Sequence, residues 1–96
     1  MIAATDMNRR QQWRKVLDLE VQRLSIMSYG QLASELRDHP VYEVELDSKK
    51  YQVELEILET TEKYVNVMVA VDDGSLPASL LPLTHSFIRT KLPSNG

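Results

Sequence analysis

The hydrophobic period of this chain changes once, at Pro40, from the three-to-four spacing of a helix to the alternation of a strand, and that switch limits the folds open to it. Before Pro40, Trp13, Val16, Leu17, Val21 and Leu24 form one apolar stripe. The spacing predicts an amphipathic helix over residues 9 to about 24, with Thr5 or Asp6 as its N-cap. Leu19 falls off the stripe, as a flanking contact or an exposed residue. Ser28 followed three residues later by Gln31 has the form of a capping box, opening a short second helix with Tyr29, Leu32, Ala33 and Leu36 on one side. It should end near Asp38, because the residue before a proline is pushed away from helical angles. His39 then sits where a histidine interacts favourably with the terminal carbonyls.

After Pro40, "VYEVELD" sets Tyr42, Val44 and Leu46 against Glu43, Glu45 and Asp47, and "YQVELEILE" sets Tyr51, Val53, Leu55 and Ile57 against Gln52, Glu54 and Glu56. These are half-buried strands. A turn centred on Ser48 and Lys49 would place Leu46 opposite Tyr51, Val44 opposite Val53, Tyr42 opposite Leu55 and Glu43 opposite Glu54, with the apolar faces in agreement. In "YVNVMVAVD", Val65, Val67, Val69 and Val71 share one face. The other face, Tyr64, Asn66, Met68 and Ala70, carries little charge, which suits a central strand partly covered on both sides. A fourth strand is expected near "SFIRTK", with Phe87 and either Ile88 or Arg89 turned inward.

The expected architecture is α+β: two N-terminal helices packed on one face of a three- to four-stranded antiparallel β-meander. One domain should span residues 1–96, with 1–5 and 92–96 as frayed ends. A chain of this length buries roughly 60–65% of its unfolded surface, which leaves no room for a two-domain enzyme. It holds no cysteine, so disulfides, thiolate zinc sites and a cysteine nucleophile are all excluded. Nothing in it reads as a signal peptide or membrane span, and a reducing cytoplasm is the default expectation.

The formal net charge of −3 conceals an asymmetry. Residues 1–27 carry five bases (Arg9, Arg10, Arg14, Lys15, Arg23) against three acids, whereas residues 35–73 carry eleven acids against four bases. A basic helix beside an acidic sheet gives such a split, and so does a domain oriented towards a charged partner.

Three groups of residues are candidate sites. Asp72, Asp73 and His85, in "VDDGSLPASLLPLTHSF", are types that run acid–base chemistry or bind a metal. Yet Asp73–Gly74 is also a turn signal, and Pro77 and Pro82 break any regular strand between, so a long loop whose leucines fold over the core edge accounts for the stretch. Glu43, Glu45, Glu54 and Glu56 should project from one sheet face, bordering Asn66 and Met68. They make either a solvated face that keeps sheets apart or a binding surface for a basic partner or a second copy of the chain. "RRQQWRK" has basic and aromatic content suited to nucleic acid, but Trp13 lies on the apolar stripe and the sequence pI is near 5.3. No metal site or cofactor is expected. No nucleophile elbow or phosphate-cradling glycine loop is present, and the chain has three glycines in all.

Residues 51–88, "YQVELEILETTEKYVNVMVAVDDGSLPASLLPLTHSFI", resemble small bacterial α+β domains of unknown function. In these a hairpin with a valine-rich second strand is followed by an Asp-Asp-Gly turn and a Pro-Leu-x-x-Ser-Phe-Ile segment. The resemblance covers roughly residues 41–90 and brings no activity or site residues. It implies that Phe87 and Ile88 anchor a strand and Ser86 holds the loop. The expectation for function is a small cytoplasmic interaction or regulatory module, with sheet surface as its binding element. A metal-dependent or acid–base enzyme built on Asp72, Asp73 and His85 is the first alternative, and nucleic-acid binding through Arg9, Arg10, Arg14 and Lys15 the second.

Overall fold

The computed structural model describes residues 2–73 and 83–91, with side chains described from residue 11. Two helices, α1 (Ile2–Ser25) and α2 (Tyr29–Asp38), precede four strands, β1 (Val41–Leu46), β2 (Lys49–Thr60), β3 (Tyr64–Asp72) and β4 (Leu83–Thr90). The strands form one antiparallel sheet in the order β1-β2-β3-β4. Helix α1 packs against β3 and β4, and α2 against β2. The fold is the α+β arrangement expected from the change of period.

The apolar stripe of α1 meets the apolar parity of the sheet. Trp13, Val16, Leu17 and Leu24 from α1 and Leu32 from α2 pack with Tyr51, Val53 and Leu55 of β2 and Val65, Val67, Val69 and Val71 of β3. Full burial of each such aliphatic side chain stabilises by roughly 1.5–3 kcal/mol. The capping box at α2 is complete: the Gln31 amide donates to the Ser28 hydroxyl at 3.2 Å, and the Ser28 amide to Gln31 Oε1 at 3.2 Å. At the other end the His39 amide closes the last turn onto the Glu35 carbonyl.

In four places the structure departs from the local expectations, adds to them or decides between them. Helix α1 already includes Thr5 and Asp6, so neither caps it. Glu20 lies buried on the α1 stripe, among positions filled elsewhere by apolar residues. β4 begins at Leu83, so "LTHSF" is strand rather than loop; residues 74–82, where the turn at Gly74 and the breaks at Pro77 and Pro82 were expected, lie outside the described residues. Arg89 rather than Ile88 turns inward, opposite Val65, and its Nη1 reaches the Ser25 carbonyl at the C-terminal end of α1. A cation is favoured there, and its long stem crosses apolar surface on the way. Ile88 points to the other face and is 60% exposed, so of the two expected anchors only Phe87 packs against the core.

The hairpin register also shifts. Asp47 (φ 53°) and Ser48 (φ 67°) are both left-handed, as the central residues of a type I′ turn must be. The turn therefore starts one residue earlier than expected, with Leu46 opposite Lys49, Val44 opposite Tyr51 and Tyr42 opposite Val53. A displacement of two residues leaves every side chain on its expected face, which is why alternation alone did not detect it. The electrostatics improve: Glu45 faces Lys50, Glu43 faces Gln52, and Glu54 faces Val41 instead of Glu43. A left-handed serine costs about 1–2 kcal/mol, part of which glycine returns to the freedom of the unfolded chain. Ser48→Gly is therefore expected to stabilise the protein by about 0.5–1 kcal/mol, read as a higher urea midpoint at unchanged slope.

Candidate functional site

The face of the sheet turned away from the helices is covered by no element among the described residues. Its side chains follow from the pairing. β1 and β2 present Glu43, Glu45, Glu54 and Glu56, relieved by Lys50. β3 and β4 present Asn66, Met68, Ala70, Ser86 and Ile88. The face is thus acidic on one half and, apart from Asp72 at the end of β3, uncharged on the other.

A β-bulge extends the acidic half. Between Ile57 and Glu59 the register slips by one residue, so that Leu58 has no partner and Glu59 falls opposite Asn66. Without the slip Glu59 would point towards the helices. With it, Glu59 accepts the Tyr64 hydroxyl at 3.0 Å on the outer side, a bond that raises the Tyr64 phenol above its ordinary range. Glu59 and the four glutamates make five outer-face carboxylates on β1 and β2 against one lysine, with none of the five buried.

Asn66 sits where the halves meet, between Glu59 on β2 and Ile88 on β4. Its Oδ1 is buried and has no hydrogen-bond partner among the described residues. A buried acceptor left unpaired costs about 1–3 kcal/mol. Around it the surface is apolar: Met68, opposite Glu56 and Ser86, is half-buried, and Ile88 stands out into solvent.

The loop candidates are placed differently. His85 is opposite Val69, on the helix-side parity of β4, whereas Asp72 is opposite Gln52 on the outer parity of β3. Asp72 and His85 thus leave the sheet in opposite directions, and Asp73 follows the end of β3. Among the described residues no group of three or more His, Asp or Glu is placed to hold a metal ion. In the basic group, Arg14 and Lys15 are exposed and Trp13 is in the core, so Trp13 is not an aromatic platform beside those two charges; the Arg9 and Arg10 side chains lie outside the described residues.

One polar cluster escaped the sequence reading. Glu20 Oε1 accepts the Tyr42 hydroxyl at 2.6 Å and Arg23 at 2.9 Å (Nη2) and 3.2 Å (Nε). Arg23 Nη2 also donates to the Tyr42 oxygen at 3.1 Å, and the guanidinium carbon lies 5.6 Å from the centre of the ring. The cluster fastens α1 to β1. Burial, and then the bond to Glu20, hold the Tyr42 phenol well above its ordinary value of 10.0. The signal available in the sequence was Glu20 on the apolar stripe with Arg23 three residues on.

Compared with protein-family models, characterised proteins and solved structures, the chain has no significant match in any of the three. The resemblance of residues 41–90 to small bacterial domains therefore stands on the quoted residues alone. Among the described residues no helix is long and apolar enough to cross a membrane.

Proposed function

We propose that this chain is a small cytoplasmic protein-interaction module without catalytic activity, and that it binds a basic partner through the outer face of its sheet. The observation that carries the reading is the division of that face: five exposed glutamates on β1 and β2 adjoin an uncharged surface at Asn66, Met68 and Ile88. A partner bringing lysine or arginine to the first half and apolar side chains to the second would meet complementary chemistry across both. Self-association is the weaker reading, because stacking acidic halves sets like charges together.

Met68→Lys tests the proposal. A cation added at the boundary repels a basic partner and removes apolar contact. It is expected to weaken binding about tenfold, equivalent to about 1.4 kcal/mol, while leaving the urea midpoint within experimental error. Isothermal titration against a lysine-rich peptide reads the affinity. Equal binding by the variant would rule out this face. A second arm at micromolar concentration, native mass spectrometry without added ligand, separates the readings: a monomer agrees with a foreign partner, and a dimer lost on Met68→Lys would transfer the face to self-association.

A further inference from the structure

β1 is half the length of β2, and the difference leaves part of a strand edge uncovered. The last bond on that side is the Leu55 amide to the Pro40 carbonyl at 2.7 Å, after which the chain turns away into α2. β2 continues through residues 56–60, all exposed, and among the described residues no strand pairs with that side of them. Ile57 and Leu58, 48% and 50% exposed, stand on this segment. An open edge with exposed apolar residues invites pairing with another chain, and the bulge at Leu58 is the irregularity that this one carries.

A cleft adjoins the edge on its helix side. It encloses about 190 Å³ between Tyr29, Ala33 and Leu36 of α2 and Ile57, Thr60 and Val65 of the sheet, with Arg37 at the rim. An apolar cavity of roughly 150 Å³ accommodates a benzene ring, so this one has space for a single apolar side chain. On the opposite side of the same strand stand Glu54, Glu56 and Glu59.

We infer that the free edge of β2 at residues 56–60 takes up an extended segment of a partner protein by strand addition, a segment that alternates apolar and basic residues. Alternation is required because successive side chains of an added strand leave on opposite faces. Those on the helix side meet the cleft under α2, which takes one apolar group. Those on the outer side meet the three glutamates, which take lysine or arginine. The inference rests on the proposed function in its basic partner and adds the partner's conformation and the place where it enters the sheet.

The test uses the full chain and the peptide Ac-Lys-Val-Lys-Val-Lys-Val-NH2, with two comparisons. One comparison peptide is Ac-Lys-Lys-Lys-Val-Val-Val-NH2, which has the same composition without alternation; the other is the alternating peptide N-methylated on alternate residues, which keeps side chains and charge but loses strand bonds on one edge. Both registers of methylation are made. The expected result is slowed amide exchange within residues 56–60 and binding roughly tenfold stronger for the alternating peptide than for the block peptide and for one of the methylated forms. Ala33→Leu, which fills the cleft with a good helix former, should weaken the alternating peptide by a similar factor. Equal binding by all the peptides, or unchanged exchange at residues 56–60, overturns the inference. If exchange instead slows around Asn66 and Met68, the edge is wrong and the sheet-face reading survives; if Met68→Lys leaves all binding unchanged while residues 56–60 remain protected, the edge survives without the face.

Discussion

Leu32→Ala is expected to lower the stability of this protein by about 3 kcal/mol, the middle of the range for an aliphatic side chain truncated in a packed core. Leu32 is 0% exposed and is the one buried residue of α2, so the ten-residue helix depends on it for attachment. The other apolar residues of its inner side, Tyr29, Ala33 and Leu36, are only half-buried, and the cleft beneath them limits what they add. A domain of this size has a total stability of roughly 5–15 kcal/mol, so the loss is a large share of it and should lower the melting temperature by about 12–24 °C. Ile26→Ala is the control, because Ile26 is 77% exposed and its truncation should change stability by less than about 0.5 kcal/mol. Calorimetry on the two variants measures the contrast. Equal melting temperatures would mean that α2 is not held by Leu32.

Tyr42→Phe is expected to cost about 1–2 kcal/mol near neutral pH, since it removes the shortest hydrogen bond of the Glu20–Arg23–Tyr42 cluster and leaves the mostly buried Glu20 carboxylate with Arg23 alone. The difference from wild type also depends on pH, with a definite sign. Unfolded, the phenol loses its proton near its ordinary value of 10.0; folded, burial and the Glu20 acceptor hold that proton to higher pH. Between the two values the native state binds more protons than the unfolded state, so the contribution of Tyr42 to stability is complete below about pH 10 and declines above it. The slope approaches about 1.4 kcal/mol per pH unit. Urea midpoints for wild type and Tyr42→Phe should therefore differ most at neutral pH and converge as the pH rises past about 10. A gap that widens in alkali would contradict the bonding described for Tyr42.

What could be read from the sequence follows from what periodicity encodes. The stripe of Trp13, Val16, Leu17 and Leu24 and the alternation on either side of the hairpin identify elements and faces, because both depend on one residue's neighbours along the chain. Register depends on the turn. Asp47 and Ser48 adopt left-handed angles without a glycine to announce them, and a slip of two residues preserves the alternation. The bulge at Leu58 is invisible for a similar reason: "EILET" alternates well enough to pass as regular strand, and only pairing with β3 shows that Glu59 has changed sides.

The same division holds for the site. Placing Glu43, Glu45, Glu54 and Glu56 on one face needs parity alone. The pairing of Glu45 with Lys50, the buried Asn66 acceptor and the exposed end of β2 all need the register and the relative lengths of β1 and β2. Glu20 was concealed by its own type, a carboxylate standing on an apolar stripe, whose partner Tyr42 is 22 residues away on another element.

Binding of a basic partner to the outer face of the sheet can be followed at the backbone amides of the full chain by NMR during titration with a lysine-rich peptide. Binding there is expected to give shifts concentrated at Glu43, Glu45, Glu54, Glu56, Glu59, Asn66, Met68 and Ile88, weakening as salt is raised because exposed charges are screened. Shifts confined to Arg14, Lys15 and the rest of the exposed side of α1, or no shifts at all, would contradict it.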